Sequence, residues 1–215
     1  MEGKEAYLIA VVGGDGTLYV NEGKQYLLSI SDKCHEYHYI LRALFKDVFN
    51  FKTDIRFIPQ RNTFYTIVRN KSIVKHFMQF HPAGISKTLN CQVPSTIFEA
   101  DLPTKKLHLG GWIDAEGSPK LQIQKTLGYQ YPRMLIESVS KKLVEDLYKL
   151  SLEVGIPSTK PHVCKRRYEN RLQRYGIEWN GKKCKDLLPF MFHNSKKGRL
   201  KHYVSLQGDY IKGFT

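Results

Sequence analysis

The chain has 215 residues, of which 41% are hydrophobic, so it can form a substantial core and is too apolar to be mainly disordered. Its 34 Lys and Arg residues against 20 Asp and Glu residues give a formal net charge of +14, which predicts a polyanionic partner. No apolar run approaches the roughly 18 residues of a membrane span, and the N-terminus lacks the apolar stretch of a signal peptide. We therefore expect an intracellular protein with no membrane partner.

The first half of the sequence alternates between helix-type and strand-type patterns. An apolar string with small residues, 8–16, is predicted to be a helix that ends in Asp15-Gly16. Runs of β-type residues around short polar turns predict hairpins, and apolar residues at helical spacing predict the helices between them. The predicted elements are strands over 17–22 and 24–31, a helix over 34–49 capped by Asp32, strands over 54–59 and 62–69, a helix over 71–80 stopped by Pro82, and a short helix over 95–100.

The second half follows the same order of elements. A second string of the same kind, 109–117, ends in Glu116-Gly117. The further predicted elements are strands over 120–126 and 132–140, a helix over 141–154, strands over 160–167 and 171–179, a helix over 183–192 that contains Pro189, and a last short helix over 200–210. The repeated order suggests a duplicated half.

The two apolar strings end in acids that lie 101 positions apart, close to half of the chain length. Small residues in both strings predict close approach of two helices, and the simplest partner of one helix is the other. Their matching ends would then place Asp15 beside Glu116. Two such carboxylates repel unless a cation lies between them, and a divalent metal with oxygen ligands is the usual solution. This arrangement indicates metal-assisted phosphodiester hydrolysis.

The cysteines give a different indication. Cys34, Cys91, Cys164 and Cys184 form no CxxC pair, and the close spacing of His162 and Cys164 has no second ligand pair. The spacing therefore argues against a structural zinc site and favours free thiols in a reducing compartment.

Both motifs, the element order and the basic strands resemble the LAGLIDADG homing endonuclease family in its single-chain, two-motif form. One departure is that an acid precedes the second terminal acid by two places, at Asp114, where the first copy has Gly13. The resemblance covers essentially the whole chain. It implies an α+β fold of two pseudo-symmetric αββαββα halves, 1–102 and 103–215, with motif helices at the interface and two four-stranded antiparallel sheets that form a DNA-binding saddle.

The resemblance also implies an activity. The protein is expected to be a monomeric, site-specific double-stranded DNA endonuclease, encoded by an intron, that leaves short 3′ overhangs. The expected cofactor is Mg²⁺ or Mn²⁺, with Ca²⁺ as a non-catalytic substitute. A compartment that contains DNA follows, either the cytoplasm with its nucleoid or an organelle.

Particular residues are implied by the same resemblance. Asp15 and Glu116 would be catalytic and bind metal, and Gly14 and Ala115 would be further metal ligands. Basic residues near the scissile phosphates would be Lys87 and, as its counterpart, Lys196 or Lys197. Polar residues at the ends of the second strands, Asp32-Lys33 and Ser140-Lys141, would order water.

The strands support DNA recognition independently of the family. In the run 120–125, Leu121 and Ile123 point to one face, while long polar side chains point to the other. Such a ribbon suits the major groove, and a target of about two helical turns is expected because each half covers roughly one. The residues predicted to contact DNA are Tyr19, Gln25, Arg56, Gln60, Arg61, Asn62, Arg69, Lys120, Gln122, Gln124, Arg133, Lys165, Arg167, Arg171, Gln173 and Arg174.

Two other functions use the same fold. A maturase would bind its host intron RNA, and a transcriptional regulator would bind DNA without cutting it. Neither requires both metal-binding acids, whereas this sequence retains Asp15 and Glu116. The pattern therefore favours the nuclease, and the host intron RNA remains a second possible partner.

Overall fold

The computed structural model describes residues 1–21, 24–81, 89–124, 129–165 and 172–207. In the first half the elements are α1 (Gly3–Gly14), β1 (Gly16–Asn21), β2 (Gln25–Asp32), α2 (His35–Phe49), β3 (Asp54–Ile58), β4 (Thr63–Val68), α3 (Lys71–Met78) and α4 (Ser95–Phe98). In the second half they are α5 (Leu102–Glu116), β5 (Ser118–Gln124), β6 (Tyr129–Ser138), α6 (Lys141–Glu153), β7 (His162–Val163), β8 (Tyr175–Asn180), α7 (Lys183–Leu187) and α8 (Asn194–Ser205).

Each half contains a four-stranded antiparallel sheet. The strand orders are β1-β2-β4-β3 and β5-β6-β8-β7, so the two sheets have equivalent topology. The predicted α+β fold class and order of elements are confirmed. The boundary between halves at residue 102 stays a prediction, although α5 begins at Leu102.

Local side-chain bonds define where several helices begin. Asp101 Oδ1 accepts the Thr104 N–H at 2.9 Å at the start of α5. Ser140 Oγ likewise accepts the Leu143 N–H at 3.2 Å at the start of α6. Both are N-cap bonds, which satisfy main-chain donors that the first helical turn leaves unpaired.

The predicted cap of α2 is wrong by two residues. The helix begins at His35 with Cys34 as its N-cap residue, and Cys34 makes no capping bond. Asp32 Oδ1 instead accepts the Cys34 N–H at 2.6 Å. Asp32 therefore fixes the turn between β2 and α2 rather than the helix itself.

The C-terminal elements also differ from the predictions. The helix expected over 183–192 ends at Leu187 and continues as a 3₁₀ turn, Leu188–Phe190, because Pro189 cannot continue an α-helix. The last helix begins at Asn194, six residues before its predicted start, and its predicted end lies outside the described residues. The first turns of this helix leave little sign in the sequence, because the helix is basic and Leu200 is its only fully buried residue.

The strands of the second sheet are shorter than expected at one edge. Strand β7 has two residues, and β8 begins at Tyr175 rather than at 171. Residues 166–171, which include the end of one predicted strand and the start of the next, lie outside the described residues.

Two hydrophobic clusters form the interior, one under each sheet. Helix α1 contributes Leu8 and Ile9 to one cluster and Ala6 and Ala10 to the other. It is therefore buried on all sides, as its apolar composition predicts. Within the described ranges, no helix has the length and apolarity that crossing a membrane requires.

Candidate active site between the two motif helices

The two motif helices, α1 and α5, pack directly against each other, and their glycines explain how closely. A methyl group at Gly111 would lie 2.5 Å from the Tyr7 carbonyl oxygen, and one at Gly14 would lie 2.6 Å from Ala115 Cβ. Real Cβ contacts are longer than this, so side chains at these two positions would force the helices apart. The predicted contact between the motif helices is confirmed.

The two acids lie at the same end of this helix pair. Asp15 immediately follows α1, and its N–H donates to the Val11 carbonyl at 2.9 Å. Glu116 is the last residue of α5. Its Oε1 lies 3.2 Å from the Cβ position of Gly14, the residue before Asp15. The structure thus brings Asp15 and Glu116 to one place, and both are half-buried there.

Lys196, from α8, reaches the carboxyl end of α5. Its Nζ donates to the carbonyl oxygens of Asp114 at 2.5 Å and Ala115 at 2.7 Å. These carbonyls carry the partial negative charge of a helix C-terminus, so an ammonium group is stabilised there. The basic residue predicted for the second half therefore lies at the end of α5 that carries Glu116. Lys197, its alternative, donates to the Met191 carbonyl instead, at 3.1 Å.

Asp114, two residues before Glu116, holds the segment before Lys196 against the motif helices. It is fully buried, and its Oδ2 accepts three hydrogen bonds, from the Tyr7 hydroxyl at 2.7 Å and the N–H groups of Phe192 at 2.5 Å and His193 at 3.0 Å. Burial raises the pKa of the Asp114 carboxyl, which the three donors counteract. Asp114 thus ties the segment before Lys196 to both motif helices.

A second contact between the halves lies next to Asp114. The ring of His193 stacks on Tyr37 at a centroid distance of 4.4 Å, and its Nε2 lies 3.2 Å from Asp32 Oδ1. Burial works against ionisation of Asp32, but the bonds from His193 and the Cys34 N–H lower its pKa overall. Asp32 therefore contacts the segment that precedes Lys196, and the water-ordering role that the resemblance implied for it stays a prediction. Tyr7 and His193 were not predicted, because their partners are distant in the sequence.

Solved structures of known proteins share this architecture. No family model and no curated protein matches the sequence. Variants of the homing endonuclease I-DmoI match 94% of this chain and 96% of theirs, with a TM-score of 0.58 and 19% identity. The LAGLIDADG meganuclease I-AabMI, bound to uncleaved DNA, matches 93% of this chain and 88% of its own, with a TM-score of 0.57 and 14% identity. The homing endonuclease I-LtrWI, bound to target DNA, matches 94% of this chain and 90% of its own, with a TM-score of 0.58 and 13% identity.

The chain has the fold of the single-chain LAGLIDADG homing endonucleases. The resemblance found in the sequence is thereby confirmed at the level of the fold. Each motif helix leads directly into the first strand of its own sheet, so Asp15 and Glu116 lie at equivalent helix–strand junctions of the two halves.

The groups at these helix ends fit a divalent cation that prefers oxygen ligands. Asp15 and Glu116 offer carboxylates, whereas Gly14 and Ala115 offer only main-chain carbonyls. The ammonium group of Lys196 already lies on the Ala115 carbonyl, so that oxygen stabilises positive charge. I-DmoI, which matches this chain in fold with a TM-score of 0.57 and 20% identity, was also solved in complex with DNA and Mn.

Several residues predicted to contact DNA lie on the strands of the two sheets, and others lie in the turns and segments next to the strands. In β1, buried Leu18 precedes Tyr19, whose side chain is 47% exposed. This alternation places Tyr19 on the open face. The exposed members of the predicted set are Tyr19, Gln25, Arg56, Gln60, Arg61, Asn62, Arg69, Lys120, Gln124, Lys165 and Arg174.

Three predicted DNA contacts are half-buried and bound to protein groups. Arg133 pairs with Glu178 and donates to Gln122 Oε1 at 3.5 Å. Gln173 Nε2 donates to the Cys164 carbonyl at 2.9 Å. These contacts restrain the side chains and, for Arg133, offset its charge. Lys87, Arg167 and Arg171 lie outside the described residues.

Proposed function

We propose that this protein is a site-specific double-stranded DNA endonuclease that requires a divalent metal ion. The observation that carries this proposal is the meeting of Asp15 and Glu116 at the ends of the packed motif helices, where Glu116 Oε1 approaches Gly14. Two acids held this close in a protein of net charge +14 are suited to a metal ion and a polyanion together. The DNA-bound state of I-AabMI and I-LtrWI supports the choice of DNA.

The chemistry assigned to the site is hydrolysis of phosphodiesters. A bound Mg²⁺ or Mn²⁺ would supply electrophilic activation of the phosphate and offset its charge. Asp15 and Glu116 would hold this ion, assisted by the main-chain oxygens of Gly14 and Ala115. Lys196 has three N–H donors, and two are directed at the carbonyls of α5. We assign the third to an oxygen of the scissile phosphate, where it stabilises developing charge.

DNA recognition is assigned to the open faces of the two sheets. Each strand pair presents long polar side chains, as in Lys120 and Gln124 of β5, which suits base edges in the major groove. Since one chain carries two equivalent sheets, we expect a monomer on a target of about two helical turns. Short 3′ overhangs, an intron-encoded origin and binding of the host intron RNA belong to the same proposal, with Lys87 as the basic residue of the first half.

The experiment begins with selection of cleaved sites from a randomised duplex library in the presence of Mg²⁺. Asp15→Asn and Glu116→Gln are then compared with the wild-type protein on the selected site. Each change removes a carboxylate and not a base contact, so cleavage should fall by at least about 10²–10³-fold while specific binding is retained.

Asp47→Asn is the matched control. Asp47 is an exposed acid that pairs at 2.6 Å with Lys4 near the start of α1, whereas Asp15 follows the opposite end of that helix. The change of Asp47 to an amide should therefore leave cleavage unaltered. Loss of DNA binding in the Asp15 and Glu116 variants would make these acids structural. A wild-type protein that cuts no duplex but binds its intron RNA would favour the maturase.

A further inference from the structure

Three metal-binding side chains meet at the seam between the halves, and the proposed function uses none of them as ligands. Asp32 ends β2 and Cys34 precedes α2 in the first half, whereas His193 precedes α8 in the second. One ligand atom from each lies within 4.8 Å of the others. His193 is 3% exposed, and the other two are half-buried. Residues from both halves are thus needed to assemble the cluster.

We propose that Asp32, Cys34 and His193 bind a zinc-class transition metal ion that links the two halves. A thiolate, an imidazole and a carboxylate form a donor set typical of zinc, and three protein ligands leave a fourth position for water. The thiolate distinguishes this site from the all-oxygen site at Asp15 and Glu116, because soft ligands favour zinc over magnesium.

The distances fit tetrahedral coordination with little movement. Two N or O ligands at the usual bond length lie about 3.3 Å apart on a tetrahedral zinc ion. Asp32 Oδ1 and His193 Nε2 lie 3.2 Å apart. A thiolate in the same site should lie about 3.6 Å from either atom. Because Cys34 Sγ lies within 4.8 Å of both, it must approach by at most about 1.2 Å. A half-exposed side chain can do this by a small rotation.

Neighbouring groups already orient the ligands. The ring of His193 is held by its stacking on Tyr37, and the main-chain N–H of His193 donates to Asp114 Oδ2. Asp32 is fixed by the Cys34 N–H at 2.6 Å. Partners of this kind hold ligands in position around protein metal sites and lower the cost of organising them. The Cys34 thiol donates to Glu36 Oε2 at 3.4 Å, and metal binding releases that proton to solvent.

Metal binding at this cluster would also change the position of Lys196. His193 Nδ1 accepts the Lys196 N–H at 3.4 Å, which is a long bond. When a metal takes Nε2, the proton of the neutral imidazole moves to Nδ1 and this bond is lost. The start of α8, which positions Lys196, would then loosen. The site therefore couples a soft metal ion to the residue assigned to the scissile phosphate.

Cobalt(II) provides the test, because a cobalt–thiolate bond gives a near-ultraviolet charge-transfer band and a tetrahedral site gives visible bands. Chelator-treated full-length protein is titrated with Co²⁺ in the absence of DNA. The wild-type protein should develop both features with one equivalent of metal. Cys34→Ser should lose the charge-transfer band, and Asp32→Asn should bind Co²⁺ more weakly. Zn²⁺ should displace the cobalt and raise Tm in the wild type but not in Cys34→Ser.

Two controls make the outcome decisive. Cys164→Ser changes another half-buried thiol and should keep the band. Asp15→Asn should also keep it, so failure of the endonuclease proposal leaves this result unaffected. Circular dichroism verifies that the variants fold. Absence of the band from the wild-type protein, or its persistence in Cys34→Ser, would overturn the proposal.

Discussion

The buried imidazole of His108 predicts how acid weakens the contact between the motif helices. His108 lies in α5, and its Nδ1 is 2.7 Å from the Ala6 carbonyl of α1. Its Nε2 is 3.0 Å from Trp112 Nε1. A carbonyl can only accept and an indole N–H can only donate, so both bonds require the neutral ring with its proton on Nδ1. Burial lowers the pKa of His108 to about 3, because the charged ring would lose its hydration.

The sign and size of the effect follow from the two pKa values. As the pH falls, the unfolded chain protonates this histidine near pH 6.5, whereas the folded chain resists until about pH 3. Protons therefore bind the unfolded state preferentially between these values, and stability falls with pH. Each pH unit within that window is worth about 1.4 kcal/mol, so His108 should remove about 2 kcal/mol of unfolding free energy between pH 8 and pH 5.

Urea unfolding at pH 8 and pH 5 measures this contribution when the wild type is compared with His108→Asn. The Asn side chain keeps a donor for Ala6, loses the acceptor for Trp112, and cannot titrate. The variant should be less stable at pH 8, but it should lose about 2 kcal/mol less than the wild type on acidification. Burial also lowers the pKa of His38 and raises the pKa of Asp114. Both proteins contain these two groups, so their contributions to the pH dependence cancel in the comparison.

His162→Gln removes an exposed imidazole and is the matched control, which should retain the wild-type loss. An equal loss of stability in the wild type and His108→Asn would refute the reasoning. It would mean that acid reaches the ring without unfolding the contact between α1 and α5.

Three further predictions concern the interface, the site and the DNA surface. Gly111→Ala should destabilise the protein by about 1–3 kcal/mol, because the added methyl group would meet the Tyr7 carbonyl. Gly198→Ala in α8 is the control, since a methyl group there enters open space and should stabilise the protein by about 0.5–1 kcal/mol. Thermal unfolding of both variants measures the difference. Lys196→Met should slow single-turnover cleavage more than it weakens DNA binding, and the reverse result would make Lys196 a backbone contact. Affinity for DNA should fall on the order of 10³–10⁵-fold between 50 and 200 mM salt if about six to ten phosphates are contacted, and a flat titration would contradict the basic saddle.

Much of the fold could be predicted because the signals are local. The two apolar strings predict two helices that are buried on all sides, and the alternation of apolar and polar residues around polar turns predicts the hairpins. The start of the last helix was predicted six residues too late because its sequence is basic and has little apolar periodicity. The length of β7 was likewise overestimated, since β-type residues also occur in extended segments that pair with no neighbour.

The candidate site divides in the same way. Asp15 and Glu116 were identifiable because each ends a recognisable string. His193 was not, since its contact with Asp32 spans 161 residues and joins the two halves. No spacing rule connects such residues, which explains why the cysteine pattern argued against zinc while the fold assembles a mixed cluster that includes Cys34.

The inequality of the two motif copies has a physical cause in what packs against each. A methyl group at Gly13 would lie 2.6 Å from the Trp112 ring and 2.8 Å from His81 Cε1, so the first copy has no room for a side chain there. The equivalent position in the second copy, Asp114, instead faces the segment before α8 and accepts its N–H groups. Only the second copy can therefore anchor a following segment through this position. Lys196 is held at the helix ends as a consequence, and the pseudo-symmetric scaffold acquires an asymmetric centre.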